Sequence, residues 1–123
     1  MGYELRVERE SPLPYAELAG AVLAVGFELH GSAEAGEVVA RHGQAAHVVG
    51  SWNGALRGQP GSDWQVAQLA RLAKALGGRL TGEDGELYVV RDGIVEQVSG
   101  NSVFALGKLD EILGEGPTAW PNV

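Results

Sequence analysis

Cysteine is absent from the 123 residues, which excludes disulfide staples, thiolate nucleophiles and cysteine-ligated zinc. The fold has to rest on packing alone. Positive charge is scarce: nine Lys and Arg stand against sixteen Asp and Glu, and the net charge of −7 repels phosphate backbones and anionic lipid. Neither nucleic acid nor a membrane surface is an expected partner. Long apolar runs are missing too, because the longest stretch free of polar side chains, Leu18 to Phe27, holds ten residues and two glycines, about half of the roughly 20 that a spanning helix needs. The opening Met1-Gly2-Tyr3-Glu4-Leu5-Arg6 lacks the basic-then-apolar layout of a signal peptide, and Arg6 stands where a myristoylation motif needs Ser or Thr. A cytoplasmic location is the expectation. Arg outnumbers Lys seven to two among abundant Gly and Ala, a composition that points to a GC-rich bacterial genome.

What is present reads as an ordinary globular domain. Hydrophobic residues make up 45% and charged residues 20% of a chain of common single-domain length, so one domain over residues 1–123 with one core is expected. Tyr3 to Arg9 alternates apolar and charged side chains, as a strand with one buried face requires. After Ser11-Pro12-Leu13-Pro14, the set Leu18, Ala21, Val22 and Val25 predicts a helix over 14–25 that stops at Gly26. Residues 27–30, 37–41 and 46–52 read as strands separated by glycine-rich breaks, and Asn53-Gly54 predicts a tight hairpin turn into residues 55–57.

Ser62 and Gln65 have capping-box spacing. The stripe Val66, Leu69, Ala70, Ala73 and Leu76 then predicts a helix over 62–76 closed by Gly77-Gly78, with Gln68, Arg71, Lys74 and Ala75 turned to water. Strands follow at 79–81, 87–91 and 94–98, the last two joined through Asp92-Gly93. Asn101-Ser102 offers a cap to a third helix, with Val103, Leu106, Leu109 and Leu113 on one face. A loose tail over about 115–123 carries Trp120 as its one aromatic anchor. The fold expected is α+β: a largely antiparallel sheet with two or three helices packed mainly on one face.

The chemistry-bearing residues are few. His30, His42 and His47 are spaced 12 and 5 apart, which fits neither HExxH nor a finger pattern, so no metal site is expected. No serine lies in a GxSxG elbow, and none of the glycines forms a nucleotide loop, so neither catalytic residues nor a cofactor is expected. Gly82-Glu83-Asp84-Gly85-Glu86 crowds its carboxylates too closely for a calcium loop and reads as a solvated acidic turn. Trp52, beside a hairpin turn, is the tryptophan expected to be exposed as a binding anchor, whereas Trp64 is expected to pack at a helix start.

The run from Leu69 to Tyr88, a helix ending in Leu-Gly, then a strand, an acidic Gly-Glu-Asp-Gly-Glu turn and an aromatic, resembles a segment of small uncharacterised bacterial proteins. Some of these are of immunity type and block a cognate toxin. The resemblance covers about a fifth of the chain. It implies a non-enzymatic binding protein that occludes a toxin domain, and the residues expected to make that contact are Trp52, Asn53 and the turn carboxylates Glu83, Asp84 and Glu86. Basic Arg71, Lys74 and Arg79 beside the turn argue against a nucleic-acid mimic. The residues leave two further readings open: a small enzyme or ligand carrier with a pocket around His42 or His47, and a homo-oligomeric subunit, such as a homodimer, paired through a sheet edge or a helix face.

Overall fold

A computed structural model describes residues 3–121. The chain runs β1 (Leu5–Glu8), α1 (Tyr15–Ala24), β2 (Glu28–Gly31), β3 (Gly36–His42), β4 (Ala45–Trp52), β5 (Leu56–Gly58), α2 (Asp63–Ala75), β6 (Arg79–Gly82), β7 (Leu87–Arg91), β8 (Ile94–Ser99), β9 (Ser102–Lys108) and α3 (Leu109–Glu115). All strands join one nine-stranded sheet in the order β2-β3-β4-β5-β1-β6-β7-β8-β9, and each neighbouring pair is antiparallel. The expected α+β architecture is the one observed. No helix among the described residues is long and apolar enough to cross a membrane.

The first strand of the sequence lies at the centre of the sheet. Leu5 pairs with Gly58 on one side and Gly82 on the other, and Val7 pairs with Leu56 and Leu80. The alternation read from Tyr3 to Arg9 is realised there: Leu5 is buried and Arg6 is exposed.

Helix α2 is the pillar of the core. Ser62 Oγ accepts from the Gln65 amide at 3.2 Å, so one half of the expected capping box forms. The Gln65 side chain turns instead to Gly61 and Val49, accepting from the Gly61 N–H and donating to the Val49 carbonyl. Trp64, Val66, Ala67, Leu69, Ala70, Leu72 and Ala73 are all buried. Gln68, expected to face water, is buried as well, with its side-chain oxygen accepting from Arg71 at 2.7 Å. The Arg71 guanidinium also reaches the Val25 carbonyl at 3.2 Å and lies 5.3 Å from the Phe27 ring centroid, tying α2 to the end of α1.

The sheet curls around α2. One side chain, Trp64, meets His42 of β3 and His47 of β4 edge-on, at centroid distances of 6.3 and 5.4 Å. His42 also lies 3.2 Å from the Gly114 carbonyl of α3, the helix that follows the opposite edge strand. Leu18 and Val22 of α1, Leu72 of α2 and Ile112 of α3 share one apolar cluster, so all three helices occupy the concave face. Two glycines let α2 come close: side chains at Gly50 or Gly58 would run into Leu69.

Three expectations need correcting. Residues 102–108 form strand β9 rather than the first half of a third helix, because Gly100 (φ 57°) and Asn101 make a tight turn that pairs Ser99 with Ser102. The helical spacing of Val103, Leu106 and Leu109 is a by-product of a segment apolar at both parities, and α3 begins only at Leu109. The Asn53-Gly54 turn extends through Ala55, since Trp52 pairs with Leu56. The tail, described to Pro121, is anchored: the Trp120 indole donates to Asp63 at 2.8 Å and its amide to the Gly61 carbonyl at 2.8 Å. The opening Met1-Gly2 and the last residues of the expected tail, 122 and 123, lie outside the described residues.

Candidate functional site

The acidic turn between β6 and β7 is built around a buried carboxylate. Glu86 is 6% exposed and folds back over Gly82, where any Cβ would land within 2.6 Å of it. Its Oε2 accepts from the Tyr3 hydroxyl at 2.5 Å and the Tyr88 hydroxyl at 2.7 Å, and its Oε1 accepts from the Asp84 amide at 3.1 Å. The backbone closes the same turn through Gly82 N–H to the Glu86 carbonyl and Gly85 N–H to the Gly82 carbonyl. Burial pushes the Glu86 carboxyl up, but the phenol and amide hydrogen bonds outweigh it and hold the group below the ordinary carboxylate range. Burial, and then the bond to Glu86, pushes the Tyr3 phenol up to about 12. The Tyr88 phenol is raised further for the same reasons.

This clamp places Glu86, expected on the partner surface, beneath the turn, buried and bonded to Tyr3, Tyr88 and the Asp84 amide. Glu83 and Asp84 are exposed above it. Glu83 Oε2 accepts from the Glu4 amide at 2.6 Å, so that side chain is fixed to the start of β1. The Asp84 amide donates to the Tyr3 hydroxyl at 3.0 Å.

Trp52 also departs from expectation. It is 4% exposed, its indole donates to the Ala33 carbonyl at 2.9 Å, and its ring lies 6.2 Å from that of Tyr15. A hairpin turn beside a residue says nothing about which face of the strand it occupies, and Trp52 occupies the inner one. Asn53 is exposed and lines an outer-face groove of about 360 Å³ with Glu4, Ser51, Arg57 and Gln59. The β4–β5 turn sits at the Val7 end of the central strands and the acidic turn at the Leu5 end. The residues expected to form one partner surface are therefore divided between opposite ends of the sheet.

The histidines do not converge on a site. His30 is exposed and pairs with Glu28 at 2.9 Å, while the half-buried His42 and His47 pack against Trp64. A cleft of about 340 Å³ between the start of α2, α3 and the tail is lined by Asp63, Lys108, Glu111 and Trp120, with no histidine among its walls. Among the described residues no three His, Asp or Glu side chains come together as a metal set.

The outer end of the sheet lies in a segment whose spacing predicts a helix. Val103 and Phe104 of β9 are 53% and 66% exposed on a strand that ends the sheet among the described residues. The available signal was the uncharged run Ser102 to Gly107, apolar at both parities, which fits an edge strand as well as a helix.

No family model, curated protein or solved structure matches the chain.

Proposed function

We propose that this chain is a non-enzymatic bacterial binding protein of immunity type, acting in the cytoplasm, that occludes a toxin domain with a basic surface through the turn bearing Glu83 and Asp84. The observation that carries the reading is the clamp under that turn: a buried carboxylate held by two phenols and a backbone amide. A glycine-rich loop left to itself would have to be ordered on binding, at a cost in conformational entropy. The Glu86 pin meets that cost during folding, so the exposed carboxylates are presented in a fixed geometry. The net charge of −7 adds a field that steers a basic partner toward them.

The test is co-expression with a toxin domain encoded beside the gene. A stoichiometric complex is expected, and Glu83→Lys combined with Asp84→Lys is expected to lower its affinity about tenfold or more, mainly through slower association at low salt. A complex indifferent to that double reversal, or no affinity for any neighbouring gene product, overturns the reading.

A further inference from the structure

The two edges of the sheet are treated differently. Edge strand β2 is four residues long, ends in Gly31, and carries Glu28 locked to His30 and Arg41. Short length and charge are the usual protections against strand pairing. Edge strand β9 is seven residues long, carries no charge from Ser102 to Gly107, and keeps a regular register from Ser102 to Ala105 before its bulge.

The hairpin registers determine which backbone groups of β9 are free. A two-residue turn is closed by a pair that exchanges both hydrogen bonds, and the pattern then alternates. Asp92-Gly93 is closed by Arg91 and Ile94, which directs Ile94, Glu96 and Val98 toward β7 and leaves Val95, Gln97 and Ser99 for β9. Gly100-Asn101 is closed by Ser99 and Ser102, which gives the same parity independently. Ser102 and Phe104 therefore bond to β8, and the N–H and C=O groups of Val103 and Ala105 point outward.

We propose that β9 is a homodimerisation edge: two copies of the chain pair antiparallel about a two-fold axis at Phe104, joining their sheets into one. In that register Val103 of one copy faces Ala105 of the other, and every outward N–H and C=O of these residues meets its complement. Phe104 faces Phe104 as a non-hydrogen-bonded pair, the arrangement that brings side chains closest. On the opposite face the apolar row Leu87, Val98 and Val103 continues into Ala105 of the second copy.

Charge favours a second copy at this place. A chain of net charge −7 repels itself over most of its surface, and the neutral strand is where approach sets no carboxylate against another. Glu96, which stands beside Ala105 in the register, is already paired with Arg91 at 2.8 Å. The proposal is independent of the toxin reading, since self-pairing is measured without any other protein.

Sedimentation equilibrium of the full chain is expected to give twice the chain mass at high concentration and to fall toward monomer on dilution. Phe104→Asp and Phe104→Lys should each be monomeric with unchanged circular dichroism, because the side chain is two-thirds exposed. Mixing these two variants should restore the dimer, as only the two-fold register sets one substituted position against the other. The chain has no cysteine, so Phe104→Cys introduces a single thiol. It should cross-link between copies on oxidation, since a non-hydrogen-bonded pair sets its Cα atoms about 4.5 Å apart, within the roughly 4.4–6.8 Å that a disulfide spans, whereas Val103→Cys, facing Ala105, should not. A chain monomeric at every concentration overturns the proposal, including one whose β9 amides are protected only by a different protein. So does a dimer that survives Phe104→Asp, or a mixture of the charged variants that stays monomeric.

Discussion

Leu69 fills the space that a side chain at Gly58 would need: a Cβ there would stand 2.7 Å from Leu69 Cδ1 and 2.7 Å from the Val49 carbonyl oxygen. The closeness of α2 to the sheet depends on this missing atom. Gly58→Ala is expected to cost about 1–3 kcal/mol by overpacking, read as a lower urea midpoint with an unchanged slope. Leu69→Ala added to it should recover only part of the loss, because the carbonyl remains in the way.

Glu86→Gln tests the pin under the acidic turn. It removes a charged acceptor shared by two phenols and is expected to cost about 1–3 kcal/mol, with higher amide exchange across 82–86.

The same cluster sets a pH dependence with opposite signs at its two ends. The folded Glu86 titrates below the ordinary carboxylate range, held there by the phenol and amide hydrogen bonds, so its contribution to stability is complete above that range and is lost as the pH falls through the lower folded value. Tyr3 is raised from 10.0 to about 12, so its contribution is complete below pH 10 and is lost as the pH rises toward 12. Phenolate absorbance during an alkaline titration should show Tyr3 and Tyr88 ionising late in the native protein, and Glu86→Gln should bring both back toward pH 10. Late ionisation that persists in Glu86→Gln would assign the shift to burial alone.

Trp52→Ala should behave as a core truncation, costing about 3–5 kcal/mol, since the ring is buried and its indole is bonded to Ala33. If the folded fraction of this variant still bound a partner with unchanged affinity, Trp52 would be shown to act through stability rather than contact.

Arg9 gathers the β1–α1 connection. Its guanidinium donates to the Ser11, Pro12 and Leu76 carbonyls and to the Glu17 carboxylate. Arg9→Lys is expected to lower the melting temperature nearly as much as Arg9→Ala, because an ammonium cannot satisfy several acceptors arranged around a planar fork.

Elements fixed by neighbours in the chain were legible: the Ser62 cap, the stripe of α2 and the Asp92-Gly93 hairpin all follow from short spacings. Features fixed by distant residues were not. Trp52 is buried through Ala33 and Tyr15, and Glu86 through Tyr3, 83 residues away, so nothing local distinguishes them from surface side chains. Residues 102–108 became a strand because β8 lay ready to pair with them, a contest that helical periodicity alone cannot decide. The acidic turn was recognisable as a turn, and its rigidity came from a tyrosine at the other end of the sequence.

The central place of β1 has a consequence for biosynthesis. Leu5–Glu8 leaves the ribosome before the other strands of the sheet, yet its partners are Leu56–Gly58 and Arg79–Gly82. One of its edges stays open until Leu56–Gly58 has been made and the other until Arg79–Gly82 has been made, so the nascent segment depends on its flanking charges, Glu4, Arg6, Glu8 and Arg9, to remain unassociated. The sheet closes from its middle only when β6 arrives, and the four-strand meanders on either side then have a common seam to fold against.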